Sequence, residues 1–169
     1  MYRSNTVMDK ILPIYNKICE IRNKNPEIYS SFSDGIFCFN KRLAKAELTD
    51  EEKKKWSDLN ASMYPQAVKV GGETAHFNCH SYAWYSQDIN TNIYWIRDPS
   101  AFWEDGSYTV SNCAVNRKVR YLNGVHSAIV YMSGSTPVFK SKWGEGGLYI
   151  HAATYGPAYG YNQGVRYYE

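Results

Sequence analysis

The sequence is poor in the features that most readily announce a function. No run of 18 apolar residues occurs, so no segment reads as a membrane-spanning helix. The start, "MYRSNTVMDK", has no apolar h-region, which reads as a chain without a signal peptide. Charge is nearly balanced: 19 Lys and Arg against 16 Asp and Glu give +3. With no dense cationic face beyond "EEKKKW", which reads as a solvated helix face, a nucleic-acid partner is not expected. There are only four cysteines, Cys19, Cys38, Cys79 and Cys113, scattered along the chain. An even count permits disulfides without demanding them and leaves the compartment open. His76, Cys79 and His80 form "HxxCH", but no second ligand pair accompanies them, and the haem-attachment pattern needs two cysteines. Neither a metal nor a cofactor is expected. There is no internal repeat and no low-complexity segment.

What the sequence does have is aromatics, 16 Tyr and 5 Trp among 169 residues. Each joins a large apolar body to a polar tip, which suits a groove that touches sugars or peptides as well as a β-rich core. The length suits one domain with a helical preamble. Residues 1–65 read as that helical segment. "VMDKILPIYNKICEIRNK" carries an apolar stripe, "GIFCFNKRLAKAE" is a weaker helical candidate, and in "LTDEEKKKWSDLNASMY" Thr49 and Glu52 form a capping box. From residue 66 to 169 the chain turns to short β-like runs: "QAVKV", "NIYWI", "RKVRYL", "HSAIVYM", "PVFKSKW" and "GLYIHAA". The expectation is an α+β fold in which one helix, beginning near Cys79, packs on an antiparallel sheet.

The chemistry centres on "HFNCHSYAWYSQ". A cysteine at a helix start has free N–H groups and the helix dipole beside it, both of which favour thiolate, the nucleophilic form. A neighbouring imidazole strengthens this by taking the proton. His126 precedes the apolar run "SAIVYM", just after Gly124, and is the candidate general base. If "HSAIVYM" and "PVFKSKW" form a hairpin turning near Gly134 and Ser135, positions 126 and 143 face each other. Ser141 is then the diagonal neighbour of His126. A slip of one residue would bring Lys140 or Lys142 there instead, and an ammonium cannot accept the imidazole N–H. Ser141 is thus the expected orienter. His151 is an alternative orienter or a substrate contact. Asn78, Trp143 and Trp95 are expected to touch substrate, and the backbone N–H of Cys79 to serve as an oxyanion donor.

The order of these elements resembles the NlpC-like cell-wall cysteine peptidases and amidases, which have a papain-like fold. "NCHSYA" resembles that group's nucleophile motif, "KVRYLNGVHSAIVYM" its histidine strand, and "PVFKSKWG" the strand carrying a third polar residue. The likeness spans roughly residues 74–145. It implies hydrolysis of amide bonds in peptidoglycan stem peptides through a thioester, and a secreted or cell-envelope location. The sequence departs from the pattern at Asn78, where Asp is usual, and at His80, where Ser is usual. From the residues alone the reading stops at a cysteine acting on an acyl group. Two alternatives stand beside it: a non-catalytic aromatic-rich module binding cell-wall polymer, and a cysteine acyltransferase or deamidase.

Overall fold

The computed structural model describes the main chain of residues 41–43, and residues 46–122, 124–157 and 164–169. The apolar stripe over residues 7–24, and with it Cys19 and Cys38, lies outside the described residues. Strand β1 (Lys41–Leu43) is followed by helix α1 (Asp50–Met63), β2 (Val68–Gly71), a π-helical turn (Ser81–Tyr85), β3 (Tyr94–Ile96) and a one-turn helix α2 (Ala101–Glu104). Strands β4 (Val110–Ser111), β5 (Lys118–Tyr121), β6 (Ser127–Met132), β7 (Val138–Lys142), β8 (Leu148–Ala152) and β9 (Val165–Tyr168) complete the described chain. The fold is α+β and mostly β, with short helices on a seven-stranded antiparallel sheet in the order β2-β8-β7-β6-β5-β9-β4.

Strand β6 explains why the sheet is covered on both sides. Its first four residues, Ser127 to Val130, are all buried. A strand buried on both faces has no polar alternation to display. Ile129 joins a cluster with Phe77, Tyr82, Ala83, Trp84 and Phe102. Ala128 and Val130 point the other way, into a cluster with Val119, Tyr121 and Phe139.

Two expectations need correction. Cys79 does not open a long helix: residues 79–80 are helical and pass into the π turn, which ends at the extended Ser86. The Ser86 N–H donates to the carbonyl of Ser81, five residues back, at 3.0 Å. Trp84 ends this turn anchored, its indole N–H on Ser127 Oγ at 2.8 Å and its ring among Phe102, Trp103, Tyr108 and Tyr168. The second correction concerns the helical candidate "GIFCFNKRLAKAE". Within it Lys41–Leu43 is extended and pairs with Tyr94–Ile96, gaining ladder partners that a frayed helix would lack.

The helix over 50–63 is as expected. Thr49 caps it: its Oγ1 accepts the Glu52 N–H, and the Glu52 carboxylate accepts the Thr49 N–H at 2.8 Å. Contacts cross the expected boundary near residue 65. The Glu47 carboxylate accepts from Thr74 Oγ1 at 2.6 Å and from the Ala75 N–H at 3.2 Å. Asn60 of α1 is buried against Gly146, where a Cβ would lie 2.6 Å from its amide nitrogen.

Candidate active site

Asn78 sets up the nucleophile position. Its Oδ1 accepts the N–H of Ser81 at 3.0 Å, the capping bond of a helix start, and also the N–H of Ile96 at 3.3 Å. Its Nδ2 donates to the Ile96 carbonyl at 2.7 Å. Both ends of the amide are therefore committed to main chain. Asn78 holds the turn to β3 and also lines the cleft beside Cys79 and His126.

Cys79 follows as a free thiol, 7% exposed. Burial pushes it up to about 11, and this outweighs the backbone N–H groups of Ser127 and His80 and the charge of Lys142, which pull down. The expected lowered thiol is corrected here. A turn of a few residues sums little dipole, and desolvation dominates. The resting group is a thiol.

His126 lies one residue before β6, after a turn whose Gly124 has φ +77, a conformation that favours glycine. The Tyr121 N–H closes that turn on the His126 carbonyl at 3.2 Å. Ile129 pairs with Lys140 and Val130 with Phe139, and extending this register puts 126 opposite 143. Ser141 takes the diagonal place, and its Oγ lies 3.1 Å from His126 Nε2. Burial holds the His126 imidazole well below its ordinary value, with His151 and His80 adding to the effect. His126 is therefore neutral and available as a base.

Ser141 has further partners. The indole N–H of Trp143 donates to its Oγ at 3.0 Å, and His151 Nε2 lies 2.8 Å away. Because β7 lies between β6 and β8, His151 reaches Ser141 from the next strand, where Ser141 pairs with Tyr149. His126, Ser141 and His151 thus form one diagonal across three strands. His151 is buried and sits behind Ser141 rather than on the cleft wall. Its polar contact on this side is Ser141, and it is not among the residues that line the cleft.

Cys79 and His126 line the same cleft, of about 520 Å³, within the usual size of small-ligand sites. Trp56, Trp95, Arg97, Trp143 and Pro157 contribute to its walls. The Trp143 ring stacks on Tyr149 at a centroid distance of 4.1 Å, which fixes it as a wall. No group of three or more His, Cys, Asp or Glu able to hold a metal is found among the described residues. No protein-family model matches the chain, and no curated protein and no solved structure matches it either.

Two residues beside the site carry more than their sequence context suggested. Lys142 is fully buried and donates from Nζ to the carbonyls of Thr74 at 3.0 Å, Gly144 at 2.6 Å and Gly146. It pins the approach to Cys79 onto the β7–β8 turn. Burial lowers its ammonium to about 7, yet three carbonyls suit three N–H donors, and a neutral amine would turn a lone pair on one of them. The charged form is the one this geometry fits. His80 puts Nδ1 2.8 Å from Ser127 Oγ, and burial drops it to about 4, so it is a neutral framework group. The strict alternation of β7 could have flagged Lys142, since Lys140 and Lys142 share a face opposite Ser141. Nothing local could have flagged Trp56 or Arg97.

Proposed function

We propose that this chain is a cysteine hydrolase of the NlpC-like, papain-fold kind that cleaves amide bonds, with peptidoglycan stem peptides as the substrate class. The observation that carries this reading is a free Cys79 and a buried His126 lining one cleft, with Ser141 Oγ 3.1 Å from His126 Nε2. The resemblance of "NCHSYA" and "NGVHSAIVYM" to that group's motifs supplies the substrate class and a secreted or envelope location.

The raised thiol decides the order of events. Forming free thiolate at neutral pH from a group near 11 would cost about 5 kcal/mol. Proton transfer therefore accompanies attack: His126 takes the thiol proton as Sγ bonds to the carbonyl carbon. The backbone N–H of Cys79 receives the developing oxyanion. The tetrahedral adduct collapses, His126 gives its proton to the leaving nitrogen, and a thioester remains. Water then attacks with His126 again as base, releasing the acid and the thiol. Ser141 keeps the imidazole in plane, and Trp95 and Trp143 wall the acyl chain.

The test is Cys79→Ala. It abolishes release of product from a peptidoglycan fragment or peptide amide, while the melting temperature stays near that of the parent. Full activity in that variant ends the hydrolase reading. The burial of Cys79 favours one other reading, a non-catalytic module that binds cell-wall polymer along its aromatic cleft. It requires saturable binding, no product and indifference to Cys79→Ala. An amine acceptor in the second step would make the same site a transferase, and ammonia as leaving group a deamidase. Product analysis separates these.

A further inference from the structure

A histidine can act as base only through the ring nitrogen that lacks a proton, and the hydrogen bonds around Ser141 determine which nitrogen that is. The chain of deductions starts at the Ala152 carbonyl. A carbonyl only accepts, so His151 Nδ1, 2.9 Å away, must carry a proton. The same carbonyl accepts the Tyr155 N–H at 2.9 Å, which fixes it in a tight turn. Neutral His151 then has a bare Nε2, which must accept the Ser141 hydroxyl proton across 2.8 Å. Ser141 has only that one proton. Its two lone pairs remain, and the Trp143 indole N–H, which only donates, takes one. The second faces His126 Nε2 at 3.1 Å, which must therefore donate. His126 Nδ1 is left bare.

We infer that His151, Ser141 and Trp143 form a proton-ordering relay that locks His126 as its Nε2–H tautomer and leaves Nδ1 as the base for Cys79. Ser141 and His151 are positioning residues, and His151 works at one remove, through the hydroxyl. A serine alone could donate or accept toward His126 with equal ease. His151 removes that freedom by taking the hydroxyl proton, and Trp143 blocks the other lone pair. A single hydroxyl then performs the orienting task that a one-way acceptor performs elsewhere. This inference rests on the hydrolase reading for its purpose, but its geometry does not need substrate.

The experiment is therefore run first without substrate. Nitrogen-15 NMR of histidine-labelled protein at neutral pH reads the tautomer of each ring directly. The expected spectrum shows His126 as Nε2–H and His151 as Nδ1–H. His126 as Nδ1–H in the parent protein overturns the relay, and this measurement holds even if a variant fails to fold. His151→Phe, which cannot accept the Ser141 proton, should give a mixed His126 tautomer. On a peptide amide it should lower kcat about tenfold to a hundredfold with KM nearly unchanged. His151→Gln, whose amide oxygen can take the hydroxyl proton, should restore both the Nε2–H signal and most of kcat. A pure Nε2–H signal in His151→Phe refutes the role of His151. An inactive parent protein with the expected tautomers would sink the hydrolase reading and leave the relay standing.

Discussion

Acidification from about pH 7 to about pH 5 should weaken this fold through its buried histidines. Burial lowers His80 from its ordinary 6.5 to about 4, and it lowers His126 and His151 in the same direction. Below the ordinary value the unfolded chain binds protons that the folded protein refuses. Stability is therefore complete above about 6.5 and drains as pH falls toward the folded values. At about pH 5, His80 alone costs about 2 kcal/mol by this linkage. His126 and His151 add to the same loss. Against a total of roughly 5–15 kcal/mol for a small domain this is a large share. Glu47 and Asp88, whose carboxyls sit below their ordinary values of 4.5 and 3.8, contribute mainly at lower pH, so the window above about pH 5 separates the histidines from these carboxylates. Urea unfolding followed by tryptophan fluorescence at each pH gives the free energy. His80→Gln should remove its own part of the slope. A stability that stays flat across this window would refute the claim that these imidazoles are held neutral by burial.

Lys142→Met keeps the length of the side chain but leaves the carbonyls of Thr74, Gly144 and Gly146 without their donor, and should lower unfolding free energy by about 3 kcal/mol in urea. Gly147→Ala should destabilise by about 1–3 kcal/mol in the same assay, because its Cβ would lie 2.8 Å from the Gly71 carbonyl oxygen across the β2–β8 edge. Thr49→Ala should cost only about 1 kcal/mol and leave activity intact, since it removes one exposed cap. Iodoacetamide should label Cys79 slowly at neutral pH, where a thiol near 11 is about one part in ten thousand ionised, and the rate should climb with pH. Rapid labelling in mild acid would show that burial does not dominate that thiol.

The parts of the fold that were readable in the sequence are those fixed by short-range rules. The Thr49–Glu52 box marks where α1 starts, and "SAIVYM", "VFKSK" and "LYIHA" carry strand patterns that survive as β6, β7 and β8. The turn at Gly134 and Ser135 set the β6–β7 register closely enough to bring Ser141 to His126. What was not readable depends on which strands lie side by side. His151 lies two strands from His126, with β7 between them, and no short-range rule shows that the two meet at Ser141. The two-residue β4 and the late β9 are too short and too polar to declare themselves. The thiol of Cys79 could not be judged from its helix position, because its burial comes from neighbours on other strands. Lys41–Leu43 reads as helix locally and becomes strand only because β3 offers it a partner.

The central claim is that Cys79 takes an acyl group with His126 as its base. Its most direct test is acid-quenched mass spectrometry of the protein mixed with a stem-peptide amide. The expected result is an acyl adduct confined to the tryptic peptide holding Cys79, formed far more slowly in His126→Ala and absent in Cys79→Ala. Amide product released at the parent rate by Cys79→Ala, or an adduct that forms as fast without His126, would contradict it.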